Sequence, residues 1–508
     1  MKKLFKFLTG RLFIVATMIV VQLAIVLVTI LFLSQYTLYM NTVLILISIT
    51  ITLYIVIKKD NPMYKLAWII PILLFPVVGG VLYFIFGKRN ISPRAKKRLI
   101  TIYQKTASYS KQEEPVLQQL EEDNPFALKQ ARYIRDCSFS PVYQNTDTCF
   151  LTPGEAKFAA LTEELKKAKH FIFLEYFIIQ EGKMWNTVLD ILAEKAKEGV
   201  DVRLLYDDAG TINLLPSKYP KKLREMGIKV AVFNPLKPSL DVFMSYRDHR
   251  KIAVIDGNVG FTGGINLADE YINEYEKHGY WKDSSILLKG KAVWNLTIMF
   301  LSMWEYATGK TDEDYERYKP TLHTPSAGYV QPFADSPLDG QLIGEFAYMN
   351  MINNAKRYVY ISTPYLILDN EMTSVLTLAA QSGIDVRITT PHVADKWYVH
   401  MVTRANYAQL IEAGVKIYEY TPGFIHAKTM VVDDEFAIVG TTNFDFRSFY
   451  LHFECGVWMY QTDAVMQVYE DYQKIMEQSQ TISLEECTKI SFPKRILRAV
   501  LRLFAPLM

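Results

Sequence analysis

Cysteine is scarce: Cys137, Cys149, Cys455 and Cys487 are the only four in 508 residues. Their spacings match no metal-binding pattern, and so few thiols in so long a chain exclude a disulfide scaffold. They read as reduced, buried thiols, as expected for a body on a cytosolic face. Positive charge is missing where a nucleic-acid enzyme needs it. The formal net charge is +3, but it is unevenly divided. Residues 1–98 carry thirteen Lys and Arg against one Asp, and the tail 494–508 carries four more basic residues. The body between them holds 39 basic against 52 acidic residues. A phosphate-neutralising surface shows the reverse, so nucleic acid is not an expected partner. No His, Cys and Asp cluster suggests a metal shell, and no cofactor is expected.

Long uncharged hydrophobic stretches open the chain: Leu12–Leu33, Leu38–Ile57 and Leu66–Gly87. Each is near the ~20 residues that cross a bilayer as a helix. The first is too long for a signal-peptide core and shows no small-residue cleavage site. Basic clusters lie at Lys2–Arg11, Lys58–Lys65 and Lys88–Arg98. Positive charge prefers the cytoplasmic side. Two spans and one stretch that does not cross would keep every cluster inside. The third stretch is the candidate for not crossing, because Pro71, Pro76, Gly79 and Gly80 interrupt it. At the other end, Arg495, Arg498 and Arg502 share one helical face, with Ile496, Leu497, Val500, Leu501 and Phe504 on the other. Such a helix suits an anionic membrane surface.

The chemistry lies in a repeated pattern. His249-x-Lys251-x4-Asp256 is followed by Gly263-Gly264-x-Asn266, and His426-x-Lys428-x4-Asp433 by Gly440-Thr441-x-Asn443. One copy is weak, since charges alternate along many half-buried strands. Two copies with identical spacings are not a chance result. Each reads as strand, turn, strand, with His and Lys two apart and therefore on one face. Together they place two imidazoles, two ammoniums and two amides around one point. Such a site suits a phosphodiester: the donors hold its oxygens, one His attacks, and the other delivers a proton.

The repeat is wider than the motifs. Residues 168–173 match 355–360, residues 199–204 match 383–388, and Gly227-Ile-Lys-Val230 matches Gly414-Val-Lys-Ile417. Helical stretches Trp185–Lys197 and Asn370–Gln381 fall between the first two strands of each half. The expected fold is α/β: two similar halves, 151–320 and 321–485, with mixed β-sheets flanked by helices. They follow membrane-anchoring helices in 1–98 and a polar linker, 99–150, and precede an amphipathic tail, 486–508. The first half carries extra residues, Leu236 to Asp248, read as a loop or a lip beside the site.

These paired motifs resemble the phospholipase D superfamily, and within it the bacterial cardiolipin synthases. The Gly440-Thr441-x-Asn443-Phe-Asp-Phe-Arg447-Ser448 run and the hydrophobic N-terminus add to that likeness, which covers most of 151–485. Asp248 and His452 depart from it, each standing where Asn is usual. The resemblance implies a protein of the bacterial cell membrane, and proteins of this family are often drawn with the second and third stretches as the spanning pair. The charge placement favours the multi-pass arrangement of two spans and a third stretch that does not cross, with the body facing the cytoplasm. It implies transfer of a phosphatidyl group between two phosphatidylglycerol molecules through a phosphohistidine, giving cardiolipin and glycerol. His249 is expected to attack and His426 to serve as acid and base. Lys251, Lys428, Asn266 and Asn443 would hold phosphate oxygens. Glu454, twenty-eight residues after His426, is placed as a histidine-orienting carboxylate. The same offset from His249 falls on Lys277, so Asp283 is its expected substitute. Asp256 and Asp433 complete the catalytic motifs and are expected to brace turns rather than touch substrate. A phospholipase D or phosphatidylserine synthase would use the same residues with water or serine as acceptor.

Overall fold

The computed structural model describes residues 37–87, 93–235, 246–312 and 314–507. The stretch Leu12–Leu33, the Lys2–Arg11 cluster and most of the Leu236–Asp248 insertion lie outside the described residues. The described chain forms two compact units, one of residues 37–87 and 500–507, the other of 93–235 and 246–499.

The smaller unit opens with the helix Thr37–Ile57, which is apolar all round. It is the one helix among the described residues long and apolar enough to cross a membrane. The next stretch is broken. A helix Pro62–Leu74 ends where Phe75 leaves helical geometry, at φ −134° and ψ 77°, and Pro76 opens a second helix, Pro76–Leu82. A π-helical turn, Tyr83–Gly87, completes it. Proline lacks the N–H that would continue the ladder, which accounts for the break. Ile55, Tyr64, Trp68, Ile72 and Tyr83 form the core of this unit.

The larger unit is built from two sheets of the same plan. In the first the strand order is Thr146–Leu151, Ser285–Gly290, Val259–Gly263, Ile252–Ile255, Phe171–Tyr176, Asp201–Asp207, Lys229–Phe233. In the second it is Tyr329–Asp335, His452–Tyr460, Phe436–Gly440, Thr429–Val432, Tyr358–Ser362, Asp385–Pro391, Lys416–Tyr420, with Ser479–Thr481 added at the edge. Each sheet is parallel over its last three equivalent strands and antiparallel elsewhere. The predicted helices appear as Lys183–Lys197 and Asn370–Gln381. Inward faces carry branched apolar residues, so each sheet buries its own core.

The expected polar linker at 99–150 is not one. It forms helices Pro93–Ala107, Glu114–Asp123 and Pro125–Ser138, then the edge strand Thr146–Leu151 of the first sheet. Val116, Leu117, Leu120, Leu128, Ala131 and Ile134 enter the core of the second half. The charges that read as a linker decorate the outer faces of amphipathic helices.

Candidate active site

Each His ends an extended segment and precedes a central strand. His249 leads into Ile252–Ile255 and His426 into Thr429–Val432. Two short parallel ladders then join the halves. Arg247 and Asp248 pair with His452 and Phe453, and Phe424 and Ile425 pair with Trp281 and Lys282. The backbone N–H of His249 donates to Phe453 O at 2.9 Å, and that of His426 to Lys282 O at 2.7 Å. One residue further along each ladder comes a carboxylate from the opposite half. His249 Nδ1 lies 2.9 and 3.0 Å from the two oxygens of Glu454. His426 Nδ1 lies 2.6 Å from Asp283 Oδ2. A carboxylate only accepts, so each Nδ1 carries the hydrogen and each Nε2 keeps its lone pair. Sequence offsets had been counted within each half; the ladders make the actual partners cross.

Small residues leave room for those acids. A Cβ on Gly264 would stand 2.0 Å from Asp283 Oδ1. In the second half the equivalent position is Thr441, whose hydroxyl donates to Glu454 Oε2 and which also accepts from Cys455 N at 2.9 Å. Aromatic rings wall both imidazoles. Phe177 lies 5.0 Å from the His249 ring; Trp281 and Tyr271 lie 5.3 and 5.7 Å from that of His426. Tyr271 lies five residues after Asn266 and Trp281 two before Asp283, but no spacing rule marks a ring at either place, and Phe177 comes from an element remote from the motifs.

Burial sets the charge state. It pushes His249 down to about 3 and His426 down to about 4, with the neighbouring lysines adding to the effect. Both imidazoles are therefore neutral near pH 7. Burial also pushes Lys251 down to about 8 and Lys428 to about 7, and Lys251 adds to the depression of Lys428. The ammoniums repel across one small space that an anion would neutralise. Lys251 Nζ donates to His249 O at 2.5 Å, and Lys428 Nζ to His426 O. Burial would raise Glu454, but His249 and His452 overcome it and hold that carboxyl well below the usual range.

The other expected residues are placed as follows. Asp256 accepts from the backbone N–H groups of Lys169, His170 and Phe171, each at 2.8 Å. Asp433 accepts from those of Lys356, Arg357 and Tyr358 at 2.6, 2.8 and 2.9 Å. Both sit at the far end of their strand, seven extended residues or ~20 Å from the His. They lock the turn against the starts of the strands Phe171–Tyr176 and Tyr358–Ser362. Asn266 is also largely engaged, accepting from Ile178 N at 2.9 Å and donating to Tyr271 OH at 2.7 Å. Asn443 is buried with its Oδ1 unpartnered among the described residues. Missed altogether was a buried trio behind His249. Burial raises both Glu175 and Asp248, the charge of Asp248 adds to the rise of Glu175, and Arg250, 3.8 Å from Glu175, opposes both.

Comparison with known proteins gives the same outline. A family model described as cardiolipin synthase, PLD-like domain, matches residues 161–289 and 348–478. The chain belongs to this family. A second model, phospholipase D-nuclease N-terminal, matches residues 46–88. A cardiolipin synthase of Alkalihalophilus pseudofirmus is 37% identical over 92% of this chain and 94% of its own. An uncharacterized protein of Streptococcus mutans is 42% identical over 90% of this chain and 99% of its own. The fold is similar to that of a phosphatidylserine synthase from Haemophilus influenzae, with TM-score 0.57 and 15% identity over 75% of this chain and 98% of that one.

Proposed function

We propose that this family member is a cardiolipin synthase that moves a phosphatidyl group from one phosphatidylglycerol to another through a phosphohistidine. The observation that carries the reading is the crossed pair of His–carboxylate contacts, both made through Nδ1, with Lys251 close enough to act on both imidazoles and Lys428 on His426. Named relatives aligned along nine-tenths of the chain support the substrate class.

His249 Nε2 attacks phosphorus, the bond to the glycerol oxygen breaks, and His426 gives that oxygen a proton. With its pKa depressed, His426 carries a hydrogen on Nδ1 and none on Nε2 near pH 7. The bound phosphodiester anion supplies the field that raises His426, so substrate entry and proton uptake are linked. Lys251, Lys428 and Asn443 hold the non-bridging oxygens, and the remaining N–H of Asn266 adds to them. Then His426 takes the proton of a hydroxyl on the second phosphatidylglycerol, which attacks the phosphoenzyme and releases His249. Glu454 and Asp283 hold the tautomers throughout. One phosphodiester replaces another, so no nucleotide is consumed.

The same reading puts the site on the cytoplasmic face of a bacterial cell membrane. The break at Phe75 supports a third hydrophobic stretch that enters without crossing. In the helix Phe492–Leu503, Phe492, Ile496, Leu497 and Val500 are exposed while Arg498 is buried. That apolar stripe, flanked by Lys494, Arg495 and Arg502, suits an anionic lipid surface. The test is purified full chain with labelled phosphatidylglycerol, with and without glycerol. Cardiolipin and free glycerol are expected, and added glycerol should reverse the reaction. Phosphatidic acid as sole product would mean water is the acceptor; a product formed only with serine would mean a phosphatidylserine synthase.

A further inference from the structure

Beside the catalytic pair the two halves also differ in the ladder residue opposite each His segment. His452 pairs with Arg247, two residues before His249; its counterpart Trp281 pairs with Phe424, two residues before His426. The His426 side therefore has an indole that cannot ligate. The His249 side has a third imidazole, its ring 5.3 Å from that of His249. Its side chain is 9% exposed, and among the described residues neither ring nitrogen has a hydrogen-bond partner. The nearest carboxylate oxygen is Glu454 Oε1, 3.6 Å from His452 Nδ1 and 2.9 Å from His249 Nδ1. One ligand atom from each of His249, His452 and Glu454 lies within 4.8 Å of the others.

We propose that His249, His452 and Glu454 form a binding site for a zinc-class divalent cation. Two imidazoles and one carboxylate are a donor set for Zn²⁺ rather than Mg²⁺. Bonds of about 2.0–2.1 Å at tetrahedral angles space ligand atoms ~3.3–3.4 Å apart. The observed 2.9 and 3.6 Å bracket that spacing, and the third edge, between the two imidazoles, lies within 4.8 Å, so the two rings need to close on each other by at most ~1.5 Å. The fourth position would be taken by water. Binding replaces the hydrogen on His249 Nδ1 with the metal. Neutral imidazole ligated through Nδ1 carries its hydrogen on Nε2, the atom assigned to attack phosphorus. Occupation thus removes the nucleophilic lone pair and makes zinc an inhibitor. The inhibition, unlike the site itself, rests on the assignment of His249 as nucleophile.

The experiment titrates Zn²⁺ into the full chain in detergent micelles, free metal being read by a chromophoric chelator, beside turnover of phosphatidylglycerol. His452→Asn and His452→Gln are run in parallel, each turnover normalised to its own metal-free rate. The expected result is one site in the parent chain, weakened about tenfold or more in both variants. Parent turnover should fall with occupancy and return on adding EDTA. Equal binding in parent and variants, or no saturable binding in the parent, overturns the proposal. Occupancy that is lost in the variants but leaves parent turnover intact supports the site and removes His249 from the role of nucleophile.

Discussion

Replacing Glu454 by Gln preserves the shape of the side chain and removes its charge. The surroundings decide which way the new amide points. Thr441 donates its hydroxyl to Oε2 of Glu454, so the carbonyl of Gln is favoured there. The NH₂ group then occupies the Oε1 position, 2.9 Å from His249 Nδ1. An amide N–H donates, so Nδ1 is pressed to accept; the carbonyl left at the Oε2 position, 3.0 Å from Nδ1, is already taken by Thr441, and the ring hydrogen shifts toward Nε2. The atom that attacks phosphorus loses its lone pair. The same exchange behind the histidine of a serine protease lowers turnover ~10⁴-fold, or about 5 kcal/mol of barrier. We expect a fall of ~10³–10⁴-fold in kcat, with KM changed little because the lysines that bind phosphate are untouched. Initial rates with labelled phosphatidylglycerol in mixed micelles measure it. Circular dichroism should match the parent, since the swap conserves volume. A variant retaining more than about a tenth of parental turnover would refute the tautomer argument.

Other outcomes follow from the same geometry. Gly264→Ala puts a methyl group 2.0 Å from Asp283 Oδ1, so the acid behind His426 must move; cardiolipin formation should fall by at least ~10²-fold, and normal rates would show that His426 does not depend on Asp283. Asp433→Ala removes the acceptor of three backbone N–H bonds; a loss of ~3 kcal/mol and several degrees of unfolding temperature is expected, with activity per folded molecule kept. The empty site holds His426 near 4 and Lys428 near 7, below their ordinary values, and an anion raises both. Binding of glycerophosphoglycerol above pH 7 should therefore take up protons and weaken as pH rises. Calorimetry in buffers of different ionisation enthalpy reads this, and zero uptake contradicts it. Ser92→Cys and Ser483→Cys, in a background without the four native cysteines, should resist an impermeant thiol reagent in intact cells and react after permeabilisation; labelling of both in intact cells would place the body outside.

What could be read from the chain was local. The succession of strands and helices before each His motif, and the repeated motif itself, follow from periodicities of two and 3.6 residues over short windows. The helices of 114–138 were missed because their buried stripe is carried by few residues, Val116, Leu117, Leu120, Leu128 and Ile134, among many charges. The place of Asp256 and Asp433 follows from a turn: each has positive φ, at 51° and 57°, and reaches back to amides that no spacing rule marks. Gly264 looked like a simple turn residue, whereas its missing Cβ is what admits Asp283.

The crossing of the acids carries a consequence for the duplication itself. Glu454 could be found by its offset from His426, yet it serves His249, and Asp283 serves His426. The cause is the pair of short ladders, 247–248 with 452–453 and 423–425 with 280–282. Such short pairings have no sequence pattern; they form only because two folded halves meet. A single half therefore holds a His without its carboxylate and a carboxylate without its His. Neither imidazole would have its tautomer fixed, and a buried unpaired carboxylate would cost several kcal/mol. The repeated motif is thus not two sites but two incomplete contributions to one. Divergence between the halves is then tolerated wherever it spares the crossed contacts. Gly264 against Thr441 and Asp283 against Glu454 are such divergences, each compensating the other within its own half: a shorter acid stands where glycine gives it room, and a longer one where threonine holds it.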